Sequence, residues 1–268
     1  MPYAINNGVR IYWEEHGSGL PVLLIMGLSF SHEMWFRMLP CLERRYRVIL
    51  YDNRGVGRSD VPAGPYSMNQ MASDAATVLA AAGVSRAHVV GASMGGMIAQ
   101  ELALRRPEFV RSLVLGCTSH GGILARWPKF VRPNGNISLS EANRRQRELA
   151  LVPFLYSETT PIERIHEDLD VRCGCIWNSR GFLNQLTGIL FWSSYLRLPR
   201  IKVPTLVVHG DRDRLVPQEN GQVVATRIPG AEFRLVPRAG HILTTDQPEV
   251  CSEIMLEFLE RNDNDDSV

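Results

Sequence analysis

Val9, Ile11 and Trp13 alternate with Arg10, Tyr12 and Glu14 immediately after Asn7-Gly8. A period of two marks a strand with one buried face, and Asn-Gly is a favoured two-residue turn because both positions tolerate positive φ. The chain therefore predicts an N-terminal β-hairpin. From Val22 the pattern changes to short runs that are apolar throughout: Val22–Met26, Val48–Tyr51, His88–Gly91, Ser112–Gly116, Thr205–Gly210 and Phe233–Val236. Such runs are expected of strands in a parallel sheet with helices over both faces. Helical spacing lies between them. Ser67–Ala82 places Met68, Met71, Ala75, Val78, Leu79 and Ala82 three or four residues apart, and Gly83 follows as a stop. Met94–Arg106 and Glu249–Arg261 behave alike. This alternation predicts an open α/β sheet with the hairpin antiparallel at one edge.

The alternation breaks between Gly121 and Pro199. That stretch carries no convincing strand but three helical pieces, Ser140–Leu151, Pro161–Asp170 and Gly181–Leu196. It is expected to be a helical cap, residues 121–199, inserted after the sixth strand into a core made of residues 1–120 and 200–268. Arg144-Arg-Gln-Arg147 is expected to be the solvated face of a cap helix. The acidic end, Asn262–Val268, is expected to be a disordered tail.

Composition narrows the classes. Of 268 residues 45% are hydrophobic and 21% charged, which excludes wholesale disorder and leaves enough apolar surface for a core without disulfides or metals. With 29 basic against 28 acidic residues there is no electrostatic footprint for nucleic acid. No apolar run reaches the roughly 18 residues of a membrane helix, and no secretory signal is visible at the start. The five cysteines, Cys41, Cys117, Cys173, Cys175 and Cys251, lack zinc spacing and read as reduced thiols, so a cytoplasmic protein without metal or cofactor is expected. The chain sets no oligomeric state.

The chemistry gathers at strand ends. Gly91-Ala-Ser93-Met-Gly95 stands between a strand and a helix, the context a nucleophile elbow requires. Glycines two residues either side of Ser93 permit a tight turn that exposes its hydroxyl at a helix N-terminus, where negative charge is favoured. A serine needs a base, and the base needs an orienting acid. His241 follows the last strand. Asp213 lies at the apex of the loop after Thr205–Gly210, whereas Asp211 directly follows Gly210 and suits a turn-capping role. The two backbone donors for an oxyanion are expected at Met94, the residue after the nucleophile, and at Leu28, in the loop after Val22–Met26. Val216 and Ile242 flank the acid and base and are expected to line the substrate pocket, together with Trp35 and Trp192. Asp52 and Arg54 suit loop bracing, and His32 and His120 polar loop positions.

With Tyr51-Asp-Asn-Arg-Gly-Val-Gly-Arg-Ser-Asp60 and Val203-Pro-Thr-Leu-Val-Val-His-Gly-Asp211 added to the elbow, the chain resembles the α/β-hydrolase fold superfamily over essentially its full length. Residues 52–119 look most like 3-oxoadipate enol-lactonases and related carboxylesterases, and Leu24–Leu28 is more similar to polyketide methylesterases. The resemblance implies an eight-stranded, mostly parallel sheet flanked by helices, with a helical cap. It also implies a serine carboxylic-ester hydrolase acting on a small-molecule ester of small to medium acyl length. A lactonase, a C–C bond hydrolase and a ligand-sensing receptor with an intact triad use the same residues and stay open. Many relatives carry His-Gly where this chain has Met26-Gly27, which keeps the backbone donor but changes what holds the loop.

Overall fold

The computed structural model describes residues 3–126 and 144–264. Its strands are β1 (Tyr3–Asn6), β2 (Val9–His16), β3 (Leu20–Ile25), β4 (Tyr46–Tyr51), β5 (Ala87–Ala92), β6 (Val110–Gly116), β7 (Thr205–Gly210) and β8 (Glu232–Val236). They form one sheet in the order β1-β2-β4-β3-β5-β6-β7-β8. β1 pairs antiparallel with β2 and β2 with β4, while every other pairing is parallel. Asn7 and Gly8 turn the edge hairpin with φ of 50° and 80°.

The helices are α1 (Leu39–Leu42), α2 (Met68–Ala81), α3 (Met94–Arg105), α4 (Arg144–Leu155), α5 (Ile162–Gly174), α6 (Ser179–Leu190), α7 (Glu219–Arg227), α8 (Leu243–Asp246) and α9 (Pro248–Arg261). α2 starts where the pattern predicts, because Ser67 accepts from the Gln70 N–H while the Gln70 side chain accepts from the Ser67 N–H, a capping box. Residues two apart on a strand point the same way, so the apolar runs split between two layers. Leu23, Ile25, Val89, Leu113, Leu115 and Val207 pack with α2 and α3. Val22, Leu24, Val90, Val114, Leu206 and Val208 pack with Met255 and Phe258 of α9. The five central strands β4, β3, β5, β6 and β7 are largely buried on both faces, and the loops that leave the C-terminal ends of β3, β5, β7 and β8 carry the site.

Between β6 and β7 the described residues hold α4, α5 and α6. α4 packs on α5, which also meets α8 and the short helical turn His32–Trp35. The first four positions of the predicted helix Ser140–Leu151 start outside the described residues. The third predicted helix is shorter than its pattern: α6 stops at Leu190 because Ser193 bridges Gly121 and the Trp192 indole donates to Glu101 at 2.9 Å. The tail also departs from expectation as far as it is described. Tyr46 donates its hydroxyl to Asp263 at 3.2 Å, and Arg111 donates to the Asp263 carbonyl at 3.0 Å, so the first residues after α9 are anchored. Residues 265–268 lie outside the description. Among the described residues, no helix is long and apolar enough to cross a membrane.

Candidate active site

Ser93 stands between β5 and α3 with φ 56° and ψ −120°, a conformation that costs energy for any side chain and is kept only where the surroundings enforce it. Four hydrogen bonds enforce it. The Ser93 N–H donates to Gly116 at 2.8 Å, and its carbonyl accepts from Thr118 Oγ1 at 2.7 Å and from the N–H groups of Gly96 and Met97 at 3.0 and 3.3 Å. The flanking glycines are required by space. A Cβ at Gly91 would collide with the Gly95 carbonyl, and one at Gly95 with the Ile25 carbonyl.

The loops after β7 and β8 bring the acid and base to this hydroxyl. His241 Nε2 lies 3.0 Å from Ser93 Oγ, and His241 Nδ1 lies 2.8 Å from Asp213 Oδ2. Asp213 Oδ1 accepts the Leu215 and Val216 N–H groups at 2.9 and 2.8 Å, which fixes the carboxylate at the loop apex. Asp213 is fully buried in its side chain. Burial opposes its ionisation, but the charge of His241 and hydrogen bonds from His209 and His241 outweigh burial and hold the carboxyl well below the ordinary range. With Asp213 ionised, Nδ1 of His241 carries the proton, leaving Nε2 to accept from Ser93 Oγ–H. Asp211, the competing acid, is exposed and lies 3.8 Å from Arg212 instead.

The loop after β3 lies against the elbow, since a Cβ at Gly27 would come within 3.0 Å of that of Ser93. Leu28 is the next residue in this loop. Met94, the first residue of α3, offers one of the first-turn N–H groups that no helix can use internally. Three hydrogen bonds hold the loop after β3. Asn53 donates to the Met26 carbonyl at 2.9 Å, the Ser29 N–H to Gln185 at 2.9 Å, and the Trp177 indole to Ser29 Oγ at 2.8 Å.

Val216 and Ile242 flank the triad, and Ile242 packs against the cluster of Leu155, Tyr156, Ile165 and Leu169, as Phe30 does. Trp35 and Trp192 lie elsewhere. Trp35 sits with Met34 and Met38 in the layer under α9, and Trp192 packs in the α2–α3 layer with its indole on Glu101. Asp52 does brace loops: its carboxylate accepts from the His32 N–H and ring at 2.9 and 2.7 Å and from the Arg58 N–H at 2.8 Å. Arg54 pairs with Asp74 at 2.6 Å. His120 is buried against Tyr195, with ring centroids 5.1 Å apart.

Two supporting residues escaped the reading of the chain. His209, at the end of β7, lies with Nε2 2.8 Å from the Val216 carbonyl and 3.3 Å from Asp213 Oδ2. Asp246 accepts from the Gly240 and Ser157 N–H groups and so holds the His241 loop. Asp246 belongs to no motif, and His209, though inside the Val203–Asp211 segment, could have been singled out only by its place two residues before Asp211. Cys117, His209 and Asp213 bring potential ligand atoms within 4.8 Å of one another. Burial and the Asp213 charge push the Cys117 thiol up, and the carboxylate is already engaged, so this cluster is better suited to supporting the acid than to holding a metal.

An elbow serine hydrogen-bonded to a histidine and a buried aspartate, on an eight-stranded sheet of this order, defines a hydrolase architecture. The chain belongs to the α/β hydrolase fold family, whose sequence model matches residues 21–154. A protein of Azorhizobium caulinodans named carbamate hydrolase RutD is 36% identical over 96% of this chain and 98% of its own. Among solved structures, a thermophilic esterase from Thermogutta terrifontis is 26% identical with a TM-score of 0.80, covering 98% of both chains. Est816, described as an N-acyl homoserine lactone degrading enzyme, is 29% identical with a TM-score of 0.80, covering 96% of this chain and all of its own.

Proposed function

We propose that the protein is a serine hydrolase of small to medium carboxylic esters, working through an acyl-enzyme. Ser93 Oγ attacks the ester carbonyl while Nε2 of His241 takes its proton. Asp213 orients the imidazole and stabilises the imidazolium. The N–H groups of Leu28 and Met94 stabilise the oxyanion. His241 then protonates the departing alkoxide, deprotonates the water that attacks the acyl-enzyme, and returns the proton to Ser93 as the acid leaves. Every proton in the cycle moves through His241, so the chemistry needs no cofactor. Val216 and Ile242 line the pocket on this reading, with residues 121–199 as a cap over the row of strand ends. Five free thiols fit a reducing, cytoplasmic setting.

The support is the hydrogen-bond chain Ser93–His241–Asp213 at an enforced elbow. Ser93→Ala and His241→Ala should each lower kcat on p-nitrophenyl esters by roughly 10⁴- to 10⁶-fold. A tenth of the wild-type rate surviving in both purified variants would sink the assignment. The similarity to proteins named for carbamate and lactone hydrolysis favours a second reading, because those substrates present a carbonyl carbon open to the same nucleophilic attack. A lactone or carbamate hydrolysed with higher kcat/KM than any open-chain ester from acetate to palmitate would move the assignment to that class.

A further inference from the structure

α4 and α5 bring Arg147 and Arg172 into the interior, where their side chains are 8% and 2% exposed. A buried guanidinium is normally saturated with acceptors, because an unpaired buried charge is costly. These two are not saturated. Nη1 and Nη2 of Arg147 and Nε and Nη1 of Arg172 have no hydrogen-bond partner. Glu148 is the nearby carboxylate, bonded to Arg172 Nη2 and 3.7 Å from Arg147 Nη2. Arg144 spends Nη1 on the Cys175 carbonyl at 2.6 Å and Nη2 on the Arg172 carbonyl. Asp168 is engaged by Arg37, Tyr156 and Thr245. Two buried guanidiniums share one carboxylate, and Arg172 also faces the Tyr156 hydroxyl, which leaves one positive charge and N–H groups of both arginines without an acceptor at bonding distance.

Both guanidiniums lie on aromatic rings tied to or carried by the loop after β3, which packs against Ser93. The Arg147 guanidinium stacks on Trp177 at 3.9 Å and that of Arg172 on Phe30 at 4.4 Å. Trp177 is tied to Ser29, and the Phe30 N–H to the Gly27 carbonyl, with Gly27 against Ser93. Leu151 lies one turn after Arg147 on α4, and Leu169 one turn before Arg172 on α5. Both leucines join the apolar cluster that contains Phe30 and Ile242 beside the triad. The arginines thus share helix faces with leucines of the apolar cluster that Ile242, the neighbour of His241, also joins.

We propose that Arg147 and Arg172 form a subsite for a carboxylate carried by the substrate of Ser93, so that the preferred ester has a free acid at its far end. This rests on Ser93 being the nucleophile. Planar guanidiniums with paired free N–H groups match a carboxylate, and a monoanion balances the surplus charge. Burial together with Arg144 and Arg172 lowers the pKa of Arg147 despite Glu148, the direction an anion would reverse.

Monoethyl adipate and ethyl hexanoate differ in the terminal carboxylate and little else. Wild-type kcat/KM should favour the half-ester by about tenfold or more, and Arg147→Gln and Arg172→Gln should each lower that ratio by about tenfold through KM. Calorimetry should detect monoethyl adipate binding to Ser93→Ala protein and lose it on adding Arg147→Gln. A wild-type ratio at or below one, or a ratio that survives Arg147→Gln, overturns the subsite. Should Arg172→Gln not fold, with Glu148 left unpaired, Arg147→Gln decides. If Ser93→Ala keeps full turnover, the nucleophile reading fails on its own. The calorimetric arm still judges the subsite, and binding indifferent to Arg147→Gln overturns it.

Discussion

Asp213 and Asp211 stand two residues apart on one loop, and their surroundings make them different acids. Asp213 is buried, ionised and bonded to His241, while Asp211 faces solvent. Asp213→Asn replaces an acceptor with a group that can present a donor to Nδ1, turning the imidazole to the wrong tautomer. Its kcat should fall by roughly 10³- to 10⁴-fold, whereas Asp211→Asn should stay within about twofold of wild type, as surface changes generally do. Steady-state kinetics on a p-nitrophenyl ester separates the two. Equal losses in both would reassign the acid. The arginines of α4 show where residue identity stops being informative. Arg145 projects into solvent at 56% exposure, while Arg147 is buried. The run Arg144-Arg-Gln-Arg147 was expected to be a solvated face because charge alone does not reveal which side of a helix meets a neighbour.

At the scale of elements, neighbouring strands β5 and β6 place His88 beside Ser112, with Nδ1 2.7 Å from its hydroxyl. Burial, assisted by Arg111 and Arg86, pushes the His88 pKa down from 6.5 to about 4. The folded protein thus binds this proton more weakly than the unfolded chain. The neutral ring's contribution is complete above pH 6.5 and is lost as pH falls toward 4. Between pH 7 and pH 5 this group should cost roughly 2 kcal/mol of unfolding free energy. Urea titrations at the two pH values measure it, and His88→Asn should flatten the dependence. An unchanged slope in that variant would contradict the assignment. The regular elements were legible for an equally local reason. β7 has the bounds its apolar run predicts, and the Ser67 cap is written in the residues that make it. α6 ended six residues before its expected end because a bridge from Ser193 to Gly121, more than seventy positions away, overrides local helical spacing.

Across the whole molecule the same division holds. The parallel sheet, the edge hairpin and the three residues that meet at Ser93 were readable because each depends on a short pattern and a strand end. Trp35 and Trp192 were not, since a tryptophan packs equally well in a core or beside a substrate and only long-range packing decides. The partners of Arg147 and Arg172 lie likewise on other elements, Trp177 and Phe30 among them. The sheet thus brings Ser93, His241 and Asp213 from three separate loops into one hydrogen-bonded chain, and α4 and α5 carry the buried guanidiniums of Arg147 and Arg172. The central claim is that Ser93 is the activated nucleophile. Mass spectrometry of the protein after brief treatment with a fluorophosphonate tests it most directly. One adduct per chain, on Ser93, formed far more slowly in His241→Ala, is the expected result. An adduct on another residue, or a labelling rate indifferent to His241, would contradict it.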